Sequence, residues 1–424
     1  MQTNKIHWAS LLILVFLGLS ASFALLAAFG VGVNSLVVLF TKEGDAAGQM
    51  VSAFTFGFEG VVFLLCCWFV LQKTMGREQA GIILKPSFEG WHAAAAIGLV
   101  IMSVAIGAAV VSTEVAWLTW LILPVLTITV IVPPIWLYFG IGSKGIEFGP
   151  RWRVFSILGL GMTLGPVLMV LAEIILLVGG IILGAIFIAV WQPNLVQEIM
   201  TLGAVIQRET DPDAILSLLA PYLSNPALIA AAVGYVAIVV PLVEEMFKPL
   251  AVWIFASKIE SPAQGFVMGL LSGAAFALVE SLNASGGGTE SWPVIVTVRA
   301  GTSLLHIAAS GLVGWGIISA FREKRVLRLF AAYFSAVLIH GIWNACAVGV
   351  GLSLVGEMIG KPEWLYNVMP AMAGGMFTLA VGMFWLLAAS NKKIRNLPSP
   401  YPSPDGRGDA HTPVGGRVGD EGVQ

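Results

Sequence analysis

The chain is built from long uninterrupted apolar runs separated by short polar breaks, with little of the amphipathic alternation of a water-soluble fold. A bilayer core about 30 Å thick needs about 20 apolar residues rising 1.5 Å each. Runs of that length predict ten membrane-spanning helices, over 8–32, 50–72, 92–112, 116–141, 154–191, 228–256, 264–284, 293–320, 327–352 and 369–390. The fifth run is too long for one simple crossing, and Pro166, Gly179 and Gly180 offer places where it could break into a hairpin. Residues 192–227, with Glu198, Glu209, Asp211 and Asp213, read as an outer loop holding a short amphipathic helix around 215–219. From Leu397 onward the chain is polar and rich in proline and glycine, which predicts a disordered cytoplasmic tail; Arg407-Gly408-Asp409 within it is a chance tripeptide. The expected fold class is therefore all-α, a polytopic transmembrane helix bundle. Its expected regions are 1–225 with five spans and the outer loop, 226–390 with five more, and a tail over 391–424.

Composition agrees with this pattern and removes several function classes. The chain has 424 residues, 58% hydrophobic and only 11% charged, with a mean hydropathy of +0.90. So few charges cannot cover a water-borne globule of this size, which excludes a soluble enzyme. A net charge of −2 and the lack of a basic stripe exclude a nucleic-acid partner and leave the lipid bilayer as the surrounding medium. Cys66, Cys67 and Cys346 all fall inside apolar runs and read as packing residues.

Charge also sets the expected orientation. With the fifth run crossing once and the N-terminus cytoplasmic, the inner flanks collect Lys5, Lys73, Arg77, Lys85, Lys144, Arg151, Arg153, Lys258, the cluster from Arg322 to Arg328, Lys392, Lys393 and Arg395. The outer loops keep Lys42, Arg208 and Lys361, a bias of the kind that fixes topology during insertion. A hairpin in the fifth run would invert every later loop, so a single crossing is expected. Both termini are then cytoplasmic in a protein of the cell membrane. The first run contains Ser22-Phe23-Ala24, a small-x-small cleavage pattern, but is longer than a signal-peptide core and is read as a span.

Ionisable groups inside lipid are costly and need a partner or a function. The second half concentrates them: Glu244, Glu245 and Lys248 in the sixth span, Glu280 in the seventh, His306 in the eighth, and His340 with Asn344 in the ninth. By position within their runs, Glu244, Glu245, His306 and His340 fall within about one helical turn of the bilayer centre, and Glu280 lies roughly 9 Å closer to the outer face. Acids and imidazoles from four helices at similar depth are the main functional signal. Glu244 and Lys248 are spaced for an intrahelical ion pair, leaving Glu245 about 100° around the helix for acid–base chemistry. Pro241 and Pro249 bracket this stretch and predict a kink. His340 and Asn344 share a face, where the amide could stabilise an oxyanion. His306 shares its face with Thr302, Ser303 and Ser310. Glu59 and Glu173 are isolated in their spans and read as bonds to a neighbouring helix or as lining of an access path. The spacings Gly161 to Gly165, Gly180 to Gly184 and Gly269 to Gly273 predict close helix packing, and Gly286-Gly287-Gly288 a pliable connector.

The order Glu244-Glu245-Met-Phe-Lys248, Phe276-Ala-Leu-Val-Glu280, His306 and His340-Gly-Ile-Trp-Asn344 resembles the PrsW family of intramembrane proteases, relatives of the CAAX-prenyl and bacteriocin-processing membrane proteases. The resemblance covers about 228–350. Lys248 stands one residue before the arginine usual in the wider group, Glu280 replaces its usual histidine, and Ser281 stands where an asparagine commonly follows that glutamate. The resemblance implies hydrolysis of a peptide bond in a membrane-anchored protein, such as a regulatory anti-sigma factor, by the paired glutamates and the histidines. Two mechanisms are open. His306, His340 and a carboxylate hold Zn2+ while a glutamate acts as base, although no HExxH is present; or Glu244 and a histidine activate water directly, with His340 and Asn344 stabilising the oxyanion. The competing classes are a proton- or ion-coupled transporter, disfavoured by the ionisable-poor first half, and an inactive membrane scaffold.

Overall fold

The computed structural model describes residues 7–77, 90–359 and 367–395. Lys5, Lys85, Lys361 and the expected tail from Leu397, with its Arg407-Gly408-Asp409, lie outside the described residues. The described chain is helical throughout: α1 (Trp8–Thr41), α2 (Ala46–Thr74), α3 (Gly90–Val111), α4 (Ala116–Ser143), α5 (Arg151–Trp191), α6 (Pro193–Ile206), α7 (Pro212–Leu223), α8 (Pro226–Gly234), α9 (Val240–Phe247), α10 (Leu250–Phe255), α11 (Pro262–Ala284), α12 (Trp292–Glu323), α13 (Val326–Ile359) and α14 (Met369–Arg395). Among the described residues, ten helical stretches are long and apolar enough to cross a membrane, with α8 to α10 together forming the sixth. The protein is an integral multi-pass helix bundle. The last helix continues through Arg395, over the first five residues of the expected tail region 391–424.

The fifth run is one continuous helix, not a hairpin. Its glycines do not break it because the surroundings are apolar, and a backbone released from the helix would find no substitute partner in lipid. The first half of α5 packs into the bundle through Trp152, Ile157, Leu160 and Met169, whereas side chains from Val170 to Trp191 are largely exposed and apolar, as lipid contact requires. Two of the expected glycine contacts follow this division. Gly161 lies against Ser272 and Ala275 of α11, and Gly165 against the Phe247 carbonyl, but Gly180 and Gly184 pack against nothing. The segment after α5 holds two short amphipathic helices, α6 and α7, where the sequence suggested one; Gln192 alone separates α6 from α5.

The centre of the bundle is the antiparallel pair α11 and α12, which α2, α4, α5, α13 and α14 surround. Almost every residue of α11 from Pro262 to Leu278 is buried. Such close approach needs residues without side chains: a Cβ at Gly269 would run into the Ser310 carbonyl, and one at Gly273 into that of His306. The backbone of the helix that carries His306 is thus pressed directly on α11.

The sixth span departs from regular α-helix twice. Tyr235–Val239 wind as a π-helix ahead of Pro241, with the Val240 N–H reaching back five residues to the Tyr235 carbonyl. At Pro249 the helix breaks; the Val252 N–H turns to the Pro249 carbonyl at 2.8 Å, and Ser272 Oγ donates to the Lys248 carbonyl at 2.5 Å. Both prolines lack an N–H, so a regular ladder cannot close across them. The kink expected between them therefore becomes a short rigid segment, α9, which bears Glu244 and Glu245.

Candidate functional site

Lys248 is the hub of the site. Its side chain is fully buried, and Nζ lies 2.7 Å from Glu244 Oε2 and 2.8 Å from Glu245 Oε1. The same ammonium stands 2.8 Å from His306 Nδ1 and 3.4 Å from His340 Nδ1. The Phe276 ring closes one side, 4.7 Å from Nζ to its centroid. The sequence suggested a pair with Glu244 alone; the structure gives Lys248 both carboxylates, because the third and fourth residues before it flank its own face of the helix.

Each histidine is held by a different carboxylate. His340 Nδ1 lies 2.8 Å from Glu245 Oε1, and His306 Nε2 lies 2.7 Å from Glu280 Oε2. Glu280 is gripped on its other oxygen by Arg299 Nη1 at 2.7 Å. The second nitrogen of His340, Nε2, lies 3.7 Å from Glu244 Oε2, and that of His306, Nδ1, faces Lys248 Nζ. The imidazoles meet edge to face with centroids 5.4 Å apart. Glu244, His306 and His340 each offer one ligand atom, all within 4.8 Å of one another, and all three residues are buried. Buried Glu245 Oε2 has no hydrogen-bond partner among the described residues.

Asn344 sits elsewhere. Its Nδ2 donates to the Val236 carbonyl at 3.0 Å, in the π-helical turn. Gly341 lies directly on the neighbouring Ala237 carbonyl. The two residues after His340 that share its motif thus dock α13 onto the bent part of the sixth span, and the amide expected to donate to an oxyanion is engaged by main chain. Thr302 and Ser303, on the face of His306, donate their hydroxyls to the Val298 and Arg299 carbonyls of their own helix, and Ser303 Oγ also lies 3.5 Å from Ser281 Oγ of α11.

One charged group escaped the sequence reading. Arg299 lies in the eighth apolar run two turns before His306, on the same helix face, a spacing that could have identified it. Glu173, which looked isolated, is near enough to Glu244, Lys248 and Glu280 to feel their charges. Its Oε1 is buried without a hydrogen-bond partner, and its main-chain carbonyl accepts from Tyr235 Oη at 2.9 Å. Glu59 has a partner on another helix, Asn283 Nδ2 at 2.9 Å.

The sequence model of the PrsW family intramembrane metalloproteases matches residues 150–374, more than half of the chain. The chain belongs to the PrsW family. The matched region begins at the foot of α5, so the PrsW portion includes that helix and not only the motif-bearing stretch 228–350. The packing explains why: Met169 of α5 joins Val243 and Phe276 in a small apolar cluster beside Lys248. α1 to α4 lie outside the PrsW match. No curated protein and no solved structure matches the chain.

Proposed function

We propose that this membrane protease hydrolyses a peptide bond in a membrane-anchored protein at a centre formed by Glu244, His306 and His340. The observation that carries this reading is the arrangement of the imidazoles. Each is braced on one nitrogen by its own carboxylate, Glu245 or Glu280, while both rings and Glu244 bring ligand atoms within 4.8 Å of one another. A carboxylate behind a histidine fixes ring orientation and tautomer and raises the basicity of the nitrogen in front. Glu245 and Glu280 are therefore orienting groups, and Glu244 is the carboxylate left to act on the reacting atoms.

The donors suit Zn2+, since two imidazoles and one carboxylate with ligand atoms within 4.8 Å make a catalytic donor set after small adjustment. Glu244, His306 and His340 would hold the ion, which when bound supplies a Lewis acid and a water acidified toward neutrality. Lys248 Nζ stands on the same donors, and an ammonium and a dication repel. Binding of the ion would therefore require the Lys248 ammonium to leave these donors, while Glu245 and Glu280 would hold the rings. On a metal-free route, Glu244 takes the proton of the attacking water, while His340, within 3.7 Å, passes a proton to the leaving amine.

The site is buried among helices, which keeps bulk water from the reacting atoms and suits a substrate segment arriving through lipid. We assign the substrate to the class of single-span regulatory proteins such as anti-sigma factors. The charge asymmetry of the loops supports a cell-membrane location with cytoplasmic termini.

The test is cleavage of a membrane-anchored reporter by purified protein in lipid. Glu244→Gln and His340→Ala should abolish product while the variants insert and melt as the parent does. Retained cleavage in either variant, or transport of a solute into vesicles without cleavage, overturns the proposal. Chelator sensitivity together with bound zinc selects the metal route; insensitivity with full activity selects the glutamate route.

A further inference from the structure

The first spans have no place in the chemistry described above, yet one face of α2 lies along the end of the helix that carries Glu280. Asp45, Gly48, Ser52, Thr55 and Glu59 recur every three or four residues and form a polar stripe on an otherwise apolar helix. This stripe runs along the end of α11 and the glycine-rich connector to α12. Glu59 Oε1 accepts from Asn283 Nδ2 at 2.9 Å, and Thr55 Oγ1 donates to the Leu282 carbonyl at 3.3 Å. Gly286 lies against Ser52 and Gly48. At the top, Asp45 Oδ2 accepts from the Thr289 N–H at 2.8 Å and Asp45 Oδ1 from Thr289 Oγ1 at 2.5 Å. The start of α12 is pinned in turn: buried Trp292 donates from Nε1 to Thr127 Oγ1 of α4 at 2.8 Å and covers Gly107 of α3.

The gripped segment is the hinge between the two arms of one site. Glu280 lies three residues before Asn283 on α11, and Arg299 and His306 lie on α12 beyond Trp292. The Glu280 bonds to Arg299 and His306 both cross this hinge. Glu280 keeps 29% side-chain exposure, so packing alone does not fix it. Ordinary helix packing would be served better by an apolar residue than by a buried carboxylate at position 59, which lipid penalises.

We infer that the α2 stripe is a positioning device for the Glu280–His306 pair, with Glu59 and Asp45 as its positioning residues. It deepens the protease reading, on which its kinetic consequence rests. It also gives the spans outside the family match a mechanical role, that of holding the α11–α12 turn so that Glu280 meets His306. Contact with substrate has no part in that role. Loss of the grip loosens the carboxylate behind His306 and slows the chemical step without changing substrate affinity.

The experiment uses the full chain in lipid nanodiscs, with hydrogen exchange over 276–291 and reporter kinetics read in parallel. Glu59→Leu should raise exchange at 279–291, leave 240–255 unchanged, and lower kcat about tenfold with KM within about twofold. Glu59→Gln, whose amide oxygen still accepts from Asn283, should restore both readouts. The double variant Glu59→Leu with Asn283→Leu should be no worse than either single one, as expected of two residues acting through one bond. Asp45→Ala, at the exposed end, gives the same test if Glu59→Leu does not fold. The inference is overturned if exchange at 279–291 stays at the parent level, if exchange rises equally through every helix, or if KM carries the loss. Should the parent cleave no reporter, the protease reading fails, and the exchange pattern alone still decides whether α2 holds the turn.

Discussion

His306 Nε2 stands 2.7 Å from Glu280 Oε2, and the other oxygen of that carboxylate stands 2.7 Å from Arg299 Nη1. The imidazole is thereby held from behind by a group that is itself held. Removing charge at the middle of such a chain should loosen the ring without emptying the pocket. Glu280→Gln should lower kcat by about 10- to 100-fold, the usual cost of losing a carboxylate behind a reacting histidine. Arg299→Ala, one bond further out and partly exposed, should cost less, and Arg299→Lys less again. Steady-state kinetics on a membrane-anchored reporter checks the order.

Lys248 is the buried ammonium that pairs with both Glu244 and Glu245. Lys248→Met should destabilise the protein by ~3–5 kcal/mol, since it leaves buried charge unpaired. Adding Glu245→Gln to that variant should recover part of the loss. Melting temperature in detergent, compared for the two variants, is the measurement.

Metal binding provides a direct reading of the donor set. The parent, equilibrated with zinc and dialysed, should retain about one ion per chain, the stoichiometry of a single three-ligand site. His306→Ala and His340→Ala should lose it, and Glu245→Gln should weaken it by about 10- to 100-fold. Elemental analysis of the dialysed protein would refute the assignment if all four forms held equal metal.

Glycine packing separates two spacings that look alike in sequence. Gly273→Ala puts a methyl group against the His306 carbonyl and should cost ~1–3 kcal/mol by overpacking. It should also reduce cleavage, because the backbone that must give way carries the imidazole. Gly180→Ala meets nothing and should stay within ~0.5 kcal/mol of the parent, as a substitution away from any packed feature does.

Much of the site could be read from residue types at matched depth. Glu244, Glu245, Lys248, Glu280, His306 and His340 do meet, because each is a group that lipid rejects and each finds a partner among the others. Pairing within the cluster is less legible. Helix periodicity gives the face of a residue on its own helix, but not the rotation of one helix against the next, so it matches Lys248 to one glutamate and Asn344 to an oxyanion. Arg299 is easily passed over because a single charge barely changes the hydropathy of a long run. Spans are legible for the same reason that their irregularities are not: apolar length marks a crossing whether the helix is regular, π-wound or broken at Pro249. The contacts of Asp45 and Glu59 join residues more than 220 positions apart, beyond the reach of any local pattern.

The π-helical turn at Tyr235–Val239 inserts an additional residue into the helix just ahead of Glu244 and Glu245. One residue is worth about 100° of azimuth, so the aim of both acids depends on how many residues the turn contains as much as on which they are. Deleting a single residue between 235 and 239 would let the helix rewind as regular α and swing the pair away from the imidazoles, with each side chain chemically intact. Spacing at this bend is therefore a determinant of activity in its own right, and a length change there should silence the protein more completely than most replacements of the residues it contains.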